Sequence, residues 1–264
     1  MKRGCCCWQE GGANLMVDES LPDSEPTLTL FKSKMETKYI AIGIILASAY
    51  GMSALLPLSV FIGAAGSLSF AICIAPLFGI FLGPLRGFVF GLVGGIIASL
   101  LASTTYLAVW TVLFGPAMAG LFAGFCLNRS TKIRSISIPG PILTTVFFVI
   151  MVILYLIPNW NAWWFILPHF TAGLVALLLQ IKNIDFDATQ GGVSKYSQFL
   201  PLALIGTMAD HSMMMLGAVY LLPITTDVFG FIIFPVMIIE RLIAAIVCTI
   251  IASAVLKAFE HELF

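Results

Sequence analysis

The sequence predicts an all-α polytopic membrane protein with about eight transmembrane helices. Three observations carry this. First, hydrophobic residues make up 60% of the 264 residues and charged residues only 10%. Soluble proteins run at roughly 45–50% and about 25%. With a mean hydropathy of +1.04, a soluble fold of this size has too much surface to hide so many apolar side chains. Second, the apolar residues lie in long unbroken runs. An outer-membrane barrel would instead alternate apolar and polar residues in segments of about ten. Third, Lys and Arg fall in alternate loops, as the positive-inside rule requires. Most of the chain is too apolar and too weakly charged for disorder. Thirteen Lys and Arg balance thirteen Asp and Glu, so no basic excess points to nucleic acid.

The first 38 residues read as a disordered cytoplasmic tail, polar from residue 8 and carrying Asp18, Glu19, Pro22, Asp23, Glu25 and Pro26. Lys2 and Arg3 resemble the start of a signal peptide, but no apolar stretch follows them. Translation from Met16 or Met35 is an open alternative, since Met35-Glu36-Thr37-Lys38 leads straight into the first span. Cys5, Cys6 and Cys7 are contiguous, and Cys73, Cys126 and Cys248 lie in apolar runs. No CxxC spacing or His cluster accompanies them, so no metal site is expected. Acylation of the triplet would add little anchoring to a spanning protein.

Residues 39–264 form the transmembrane domain. A span needs about 20 mostly apolar residues. The candidates are 39–57, 67–83, 87–104, 106–128, 141–157, 164–181, 199–222 and 229–257. Gly83-Pro84-Leu85-Arg86-Gly87 divides the second from the third, and Pro158-Asn159-Trp160-Asn161 ends the fifth. Residues 128–140 and 182–198 are polar loops, and 223–227 is a short turn. Ser103-Thr104-Thr105 is the weakest break. Pro57 and Pro235 each predict a kink or a short leading helix.

With the N-terminus in the cytoplasm, twelve of the thirteen basic residues fall inside, from Lys2, Arg3, Lys32, Lys34 and Lys38 through Arg86, Arg129, Lys132, Arg134, Lys182 and Lys195 to Lys257. The outside turns 58–66, 104–106, 158–163 and 223–228 hold none. Adding or dropping one span would put basic loops outside. Six spans preserve the pattern if one pair of segments is re-entrant. The expected location is the plasma membrane, multi-pass, with both termini cytoplasmic.

Lipid tails give helices no hydrophobic reason to associate, so close approach relies on small residues. Gly43, Ala47 and Gly51 form one stripe, Gly87, Gly91, Gly95, Ser99 and Ser103 a second, and Gly120 and Gly124 a third. Each is either internal packing or, for the first stripe, a docking face for another membrane subunit.

Ionisable groups within hydrocarbon are costly and mark functional candidates. They are His169, Asp210, His211, Glu240 and Arg241. Asp210-His211 and Glu240-Arg241 lie at similar distances from the turn joining their helices. Adjacent residues on a helix point about 100° apart. The expectation is that Arg241 pairs with Asp210, while Glu240 or His211 faces a cavity. The pair is structural, a substrate site or a proton relay. Asn159, Trp160, Asn161, Trp163 and Trp164 cluster on the expected outside. They form an interfacial aromatic belt or a stacking wall for a flat polar ligand, with His169 about a turn below. Met213-Met214-Met215 reads as packing. No HExxH, GxSxG or P-loop pattern occurs. No enzyme activity and no cofactor are expected, and the chain has no ATPase motif of its own.

The stretch from Ile74 to Gly95, with Gly83-Pro84 followed by Gly87 and a glycine-rich helix, resembles the second-to-third helix junction of the substrate-binding subunits (S components) of energy-coupling factor (ECF) transporters. Pro116 to Gly124 resembles their fourth helix, and Phe234-Pro235 to Lys257 their last. The family usually has six helices, so 141–181 would be an extra pair. The resemblance implies capture of a vitamin-like small molecule outside, with uptake driven by separate ATPase and transmembrane coupling subunits. It also implies docking of the coupling subunit on Gly43, Ala47 and Gly51. Ligand binding near the extracytoplasmic helix ends would favour the Asn159–Trp164 loop over the deep charges. An autonomous proton-coupled transporter using Asp210 or Glu240, and an intramembrane enzyme using His211 or His169 with an acid, are the alternatives.

Overall fold

The apolar runs are helices in the computed structural model, which describes residues 34–60, 67–101, 106–128, 130–133, 136–182, 193–222 and 224–258. In chain order these are α1 (Lys34–Ser53), α2 (Leu77–Leu82), α3 (Pro84–Leu101), α4 (Tyr106–Leu127), α5 (Gly140–Asn159), α6 (Leu167–Ile181), α7 (Val193–Tyr220) and α8 (Phe234–Ala258). A 3-10 turn, Phe70–Cys73, precedes α2. A longer 3-10 segment, Trp160–Ile166, joins α5 to α6, and a π-helical turn, Val228–Ile233, leads into α8. Among the described residues, four stretches are long and apolar enough to cross a membrane: Pro84–Leu101, Gly140–Ile181, Gln198–Tyr220 and Val228–Lys257. The second, 42 residues long, contains both α5 and α6. The chain is a helical membrane protein.

Several expectations are corrected by the local structure. The tail expected over 1–38 gives way to helix at Lys34, and residues 1–33 lie outside the described residues. Pro57 neither kinks a helix nor opens one. The helix has already ended at Ser53, and Pro57 starts a strand, β1 (Pro57–Val60), paired antiparallel with β2 (Ser67–Ser69). The basic loop after α4 is likewise a hairpin, β3 (Ser130–Ile133) with β4 (Ile136–Pro139). Pro235 does perturb its helix, as a widened turn. Lacking an N–H, it cannot continue the hydrogen-bond ladder, and the Phe234 N–H just before it bonds back to the Phe229 carbonyl. The break at Ser103-Thr104-Thr105 and the loop 183–192 lie outside the described residues.

Glycine sets the spacing of the first half. Gly83, at φ 76°, turns the chain between α2 and α3, a conformation L side chains rarely adopt. A Cβ on Gly91 would lie 2.6 Å from the Pro116 carbonyl oxygen, and one on Gly120 would lie 2.7 Å from that of Gly87. Backbones therefore touch along α3 and α4, antiparallel. Small residues permit that approach where hydrophobic drive is absent.

The first stripe is also an internal contact. A Cβ on Gly43 would meet the Phe90 ring at 2.6 Å, Gly51 abuts Ile97, and Ala47 is 1% exposed. With Arg86 over the Tyr39 ring at 4.5 Å, these contacts lay α1 parallel to α3. Gly43, Ala47 and Gly51 thus face α3 and not outward. The outward face of α1 carries Ile40, Ile44, Ile45 and Met52.

The second half packs on α7. Its main core joins Leu77, Phe122, Phe148, Leu202, Met208 and Ala245 from α2, α4, α5, α7 and α8. Phe122 stacks on Phe147 at 4.0 Å, and Gly140 abuts the Phe125 carbonyl, so α4 and α5 are antiparallel. Thr145 Oγ1 donates to the Gly173 carbonyl at 3.2 Å across the α5–α6 hairpin. Trp110 Nε1 donates to the Met213 carbonyl at 3.2 Å, tying α4 to α7. These lateral contacts bring the helix ends bearing Lys38, Arg86, Lys182 and Lys257 to one end of the bundle, and the Trp160–Ile166 segment to the other.

Candidate functional site

Two polar contacts are buried where α6, α7 and α8 meet. In the first, Arg241 Nη1 lies 2.7 Å from Asp210 Oδ2 and also donates to the Thr207 carbonyl at 3.0 Å. Arg241 is 2% exposed and Asp210 8%. Thr207 is three residues before Asp210 on α7, so one guanidinium edge meets two groups of one helical face. Gly115 of α4 makes this possible, because a Cβ there would overlap Asp210 Oδ1. Asp210 is ten residues from the end of α7 at Tyr220, or about 15 Å at helical rise.

In the second contact, His211 Nδ1 lies 3.2 Å from His169 Nε2, both rings buried. One nitrogen must donate and the other accept, so at least one imidazole is neutral. Adjacent residues on α7 diverge by about 100°, which lets Asp210 face α8 while His211 faces α6.

Each contact leaves a nitrogen without a partner. Arg241 Nε and His169 Nδ1 are buried and unbonded among the described residues. Buried polar groups are nearly always satisfied, and each exception calls for an explanation.

Above the histidines lies an aromatic layer. Phe165 approaches the His169 and His211 rings at 6.0 and 5.9 Å. It also stacks on Tyr155 at 4.8 Å and meets Phe229 edge-on at 5.3 Å. All three aromatic residues are essentially buried. Beyond them are the residues expected to line an outer site. Trp164 Nε1 donates to the Gly230 carbonyl at 3.1 Å. Asn159, 5% exposed, accepts a hydrogen bond from Thr226 Oγ1 at 2.9 Å. Trp160 and Trp163 are 69% and 52% exposed, and Asn161 is exposed.

The candidate residues therefore divide into two groups. His169, Asp210, His211 and Arg241 come together in the deep group, as does the helix turn carrying buried Glu240. Asn159, Trp160, Asn161, Trp163 and Trp164 form the outer group. His169 belongs with the deep one. His211 faces His169 and not open space. Of the tryptophans, Trp160 is mostly exposed, Trp163 meets Trp164 edge-on at 6.3 Å, and Trp164 is bolted to the π turn.

Sequence inspection missed Phe165, Tyr155, Phe229, Thr226 and Gly230. Only Phe165 carried a signal, being one helical turn before His169. An apolar groove of about 290 Å³ runs between α5 and α6, lined by Thr145, Phe148, Val152, Phe170 and Leu174. It opens among exposed apolar side chains and holds none of the charged groups. No group of three or more His, Cys, Asp or Glu able to hold a metal occurs among the described residues. Comparison with protein-family models, curated proteins and solved structures gave no match.

Proposed function

We propose that this chain is a substrate-capture subunit that takes a vitamin-like or related small molecule from outside the plasma membrane. Separate ATPase and coupling subunits would power its passage, as in the ECF transporters whose S components the sequence resembles. The observation that carries this reading is the deep pair of polar contacts, each with an unpartnered nitrogen. A buried donor gains stability when it is met by a hydrogen-bond acceptor. A ligand with polar groups would satisfy both nitrogens, and the aromatic layer would hold its apolar part.

In this reading the chain makes eight passes, both termini lie in the cytoplasm and Trp160–Ile166 lies outside. The second pass, expected as a helix over 67–83, is only the apolar run Phe70–Leu82, too short for a full span. The basic helix ends gather at the opposite end, as the positive-inside rule asks. The glycine stripe of α1 is taken up by α3, so the coupling subunit would meet α1 on its Ile40, Ile44, Ile45 and Met52 face. No catalytic step is assigned. The test is to purify the chain, extract it with organic solvent and seek a co-purified small molecule by mass spectrometry. One compound near stoichiometry with the protein is expected. Its absence from protein prepared from several growth media would remove the reading.

One observation favours a second reading, an autonomous proton-coupled transporter: the His169–His211 hydrogen bond is one link through which a proton could pass between α6 and α7. Uptake by the chain alone in proteoliposomes, driven by a pH gradient, would select it.

A further inference from the structure

We propose that the Trp160–Ile166 segment and the π turn Val228–Ile233 form a gate over the His169–His211 pair, held shut by two hydrogen bonds and hinged at the π turn. The proposal rests on reading the deep contacts as a ligand site.

The two bolts are the Thr226–Asn159 and Trp164–Gly230 hydrogen bonds. Both cross between the same two connections, one joining α5 to α6 and the other leading into α8. Each connection also supplies one ring of the plug above the histidines, Phe165 from the first and Phe229 from the second. Both rings are 1% exposed. Parting the two connections would draw Phe229 away from Phe165, the ring that lies against His169 and His211, and loosen the layer that covers them. Neutral hydrogen bonds at a bundle end are individually weak, so two of them make a latch that can open.

The backbone supplies the hinge. A π turn carries one more residue than an α turn and is often found at functional sites. Restoring α spacing would rotate the chain before Phe234 by about 100°. That rotation would swing the Gly230 carbonyl away from Trp164 and Phe229 away from Phe165. The rest of α8 would stay in place, anchored by Arg241 on Asp210. The first connection is non-helical at Ala162 (φ −118°, ψ 45°), where the chain bends. Gly230 is the fitted position: a Cβ there would lie 2.7 Å from Trp164 Cζ2. Only glycine lets the indole lie on the turn.

Diethyl pyrocarbonate, which modifies imidazole nitrogens, is the probe. Modification of His169 and His211 in the full chain is followed by peptide mass spectrometry. Trp164→Phe removes one bolt while keeping a ring, and Thr226→Val removes the other with little change of shape. Each should speed modification of both histidines several-fold, and Gly230→Ala should do the same by wedging the turn. Asn159→Cys with Thr226→Cys, bridged by a short bis-maleimide in a background lacking other reactive cysteines, should slow it below wild type. Equal rates in the wild type, the bolt variants and the bridged protein would overturn the gate. If the bolts control reactivity but no small molecule co-purifies, the gate stands and the ligand reading falls. If a compound co-purifies while reactivity ignores the bolts, the ligand reading stands and the gate falls.

Discussion

Arg241 of α8 and Asp210 of α7 meet at 2.7 Å deep within the bundle, and the guanidinium spans from that carboxylate to the Thr207 carbonyl one turn away. An isolated Arg near the bilayer centre costs about 2.5–3.5 kcal/mol on insertion scales. Pairing it removes most of that penalty. Removing either partner strands the other, and a buried pair broken this way loses roughly 3–5 kcal/mol. Asp210→Asn and Arg241→Gln should each lower the melting temperature in detergent markedly. The double variant should lose much less than the sum. Additive losses would mean that the two side chains do not interact in the membrane.

This pair was legible in the sequence because few charges occur in the apolar runs and the turn at 223–228 fixes their relative depth. The helices were legible for a similar reason: apolar length and Gly-Pro punctuation mark them directly. What the sequence hid was which face each helix turns inward. Helices that are apolar all round carry little periodic signal, because lipid and core accept the same side chains. Gly43, Ala47 and Gly51 therefore read equally as a docking face or as internal packing, and only the Phe90 and Ile97 contacts decide it. The hairpins at 57–69 and 130–139 were hidden because their strands are three or four residues long. The aromatic layer was hidden because Tyr155, Phe165 and Phe229 come from three separated segments.

Ala47→Leu should destabilise the isolated chain. Ala47 is buried against α3, where Gly94 approaches its Cα. Overpacking of this kind costs about 1–3 kcal/mol. Differential scanning fluorimetry of the purified subunit checks it. An unchanged midpoint, with only partner association lost, would return this stripe to a docking role.

Gly91→Val should be more damaging, because its Cβ meets the backbone of Pro116 and Ala117, which cannot give way as a flexible side chain can. The expected loss is about 3 kcal/mol or more, seen as little folded protein on size exclusion. Leu100→Ala, at a position 80% exposed, is the control and should behave as wild type. Equal behaviour of the two variants would refute the backbone contact between α3 and α4.

Sidedness has its own measurement. With native cysteines replaced, Asn161→Cys should react with an impermeant maleimide in intact cells, and Lys132→Cys only after lysis. The exposed Asn161 sits at the end of the bundle away from the basic helix ends. The reverse pattern would invert the proposed orientation.

The central claim is that the contacts among α6, α7 and α8 form the ligand site. The most direct measurement is the amount of co-purified compound per mole of protein in the wild type and in the Asp210→Asn/Arg241→Gln double variant. The double variant removes both partners together and should lose much less stability than the two single variants combined. The account predicts that it has lost the compound. Full retention of the compound by the folded double variant would contradict it and move the site outward to the Trp160–Trp164 loop.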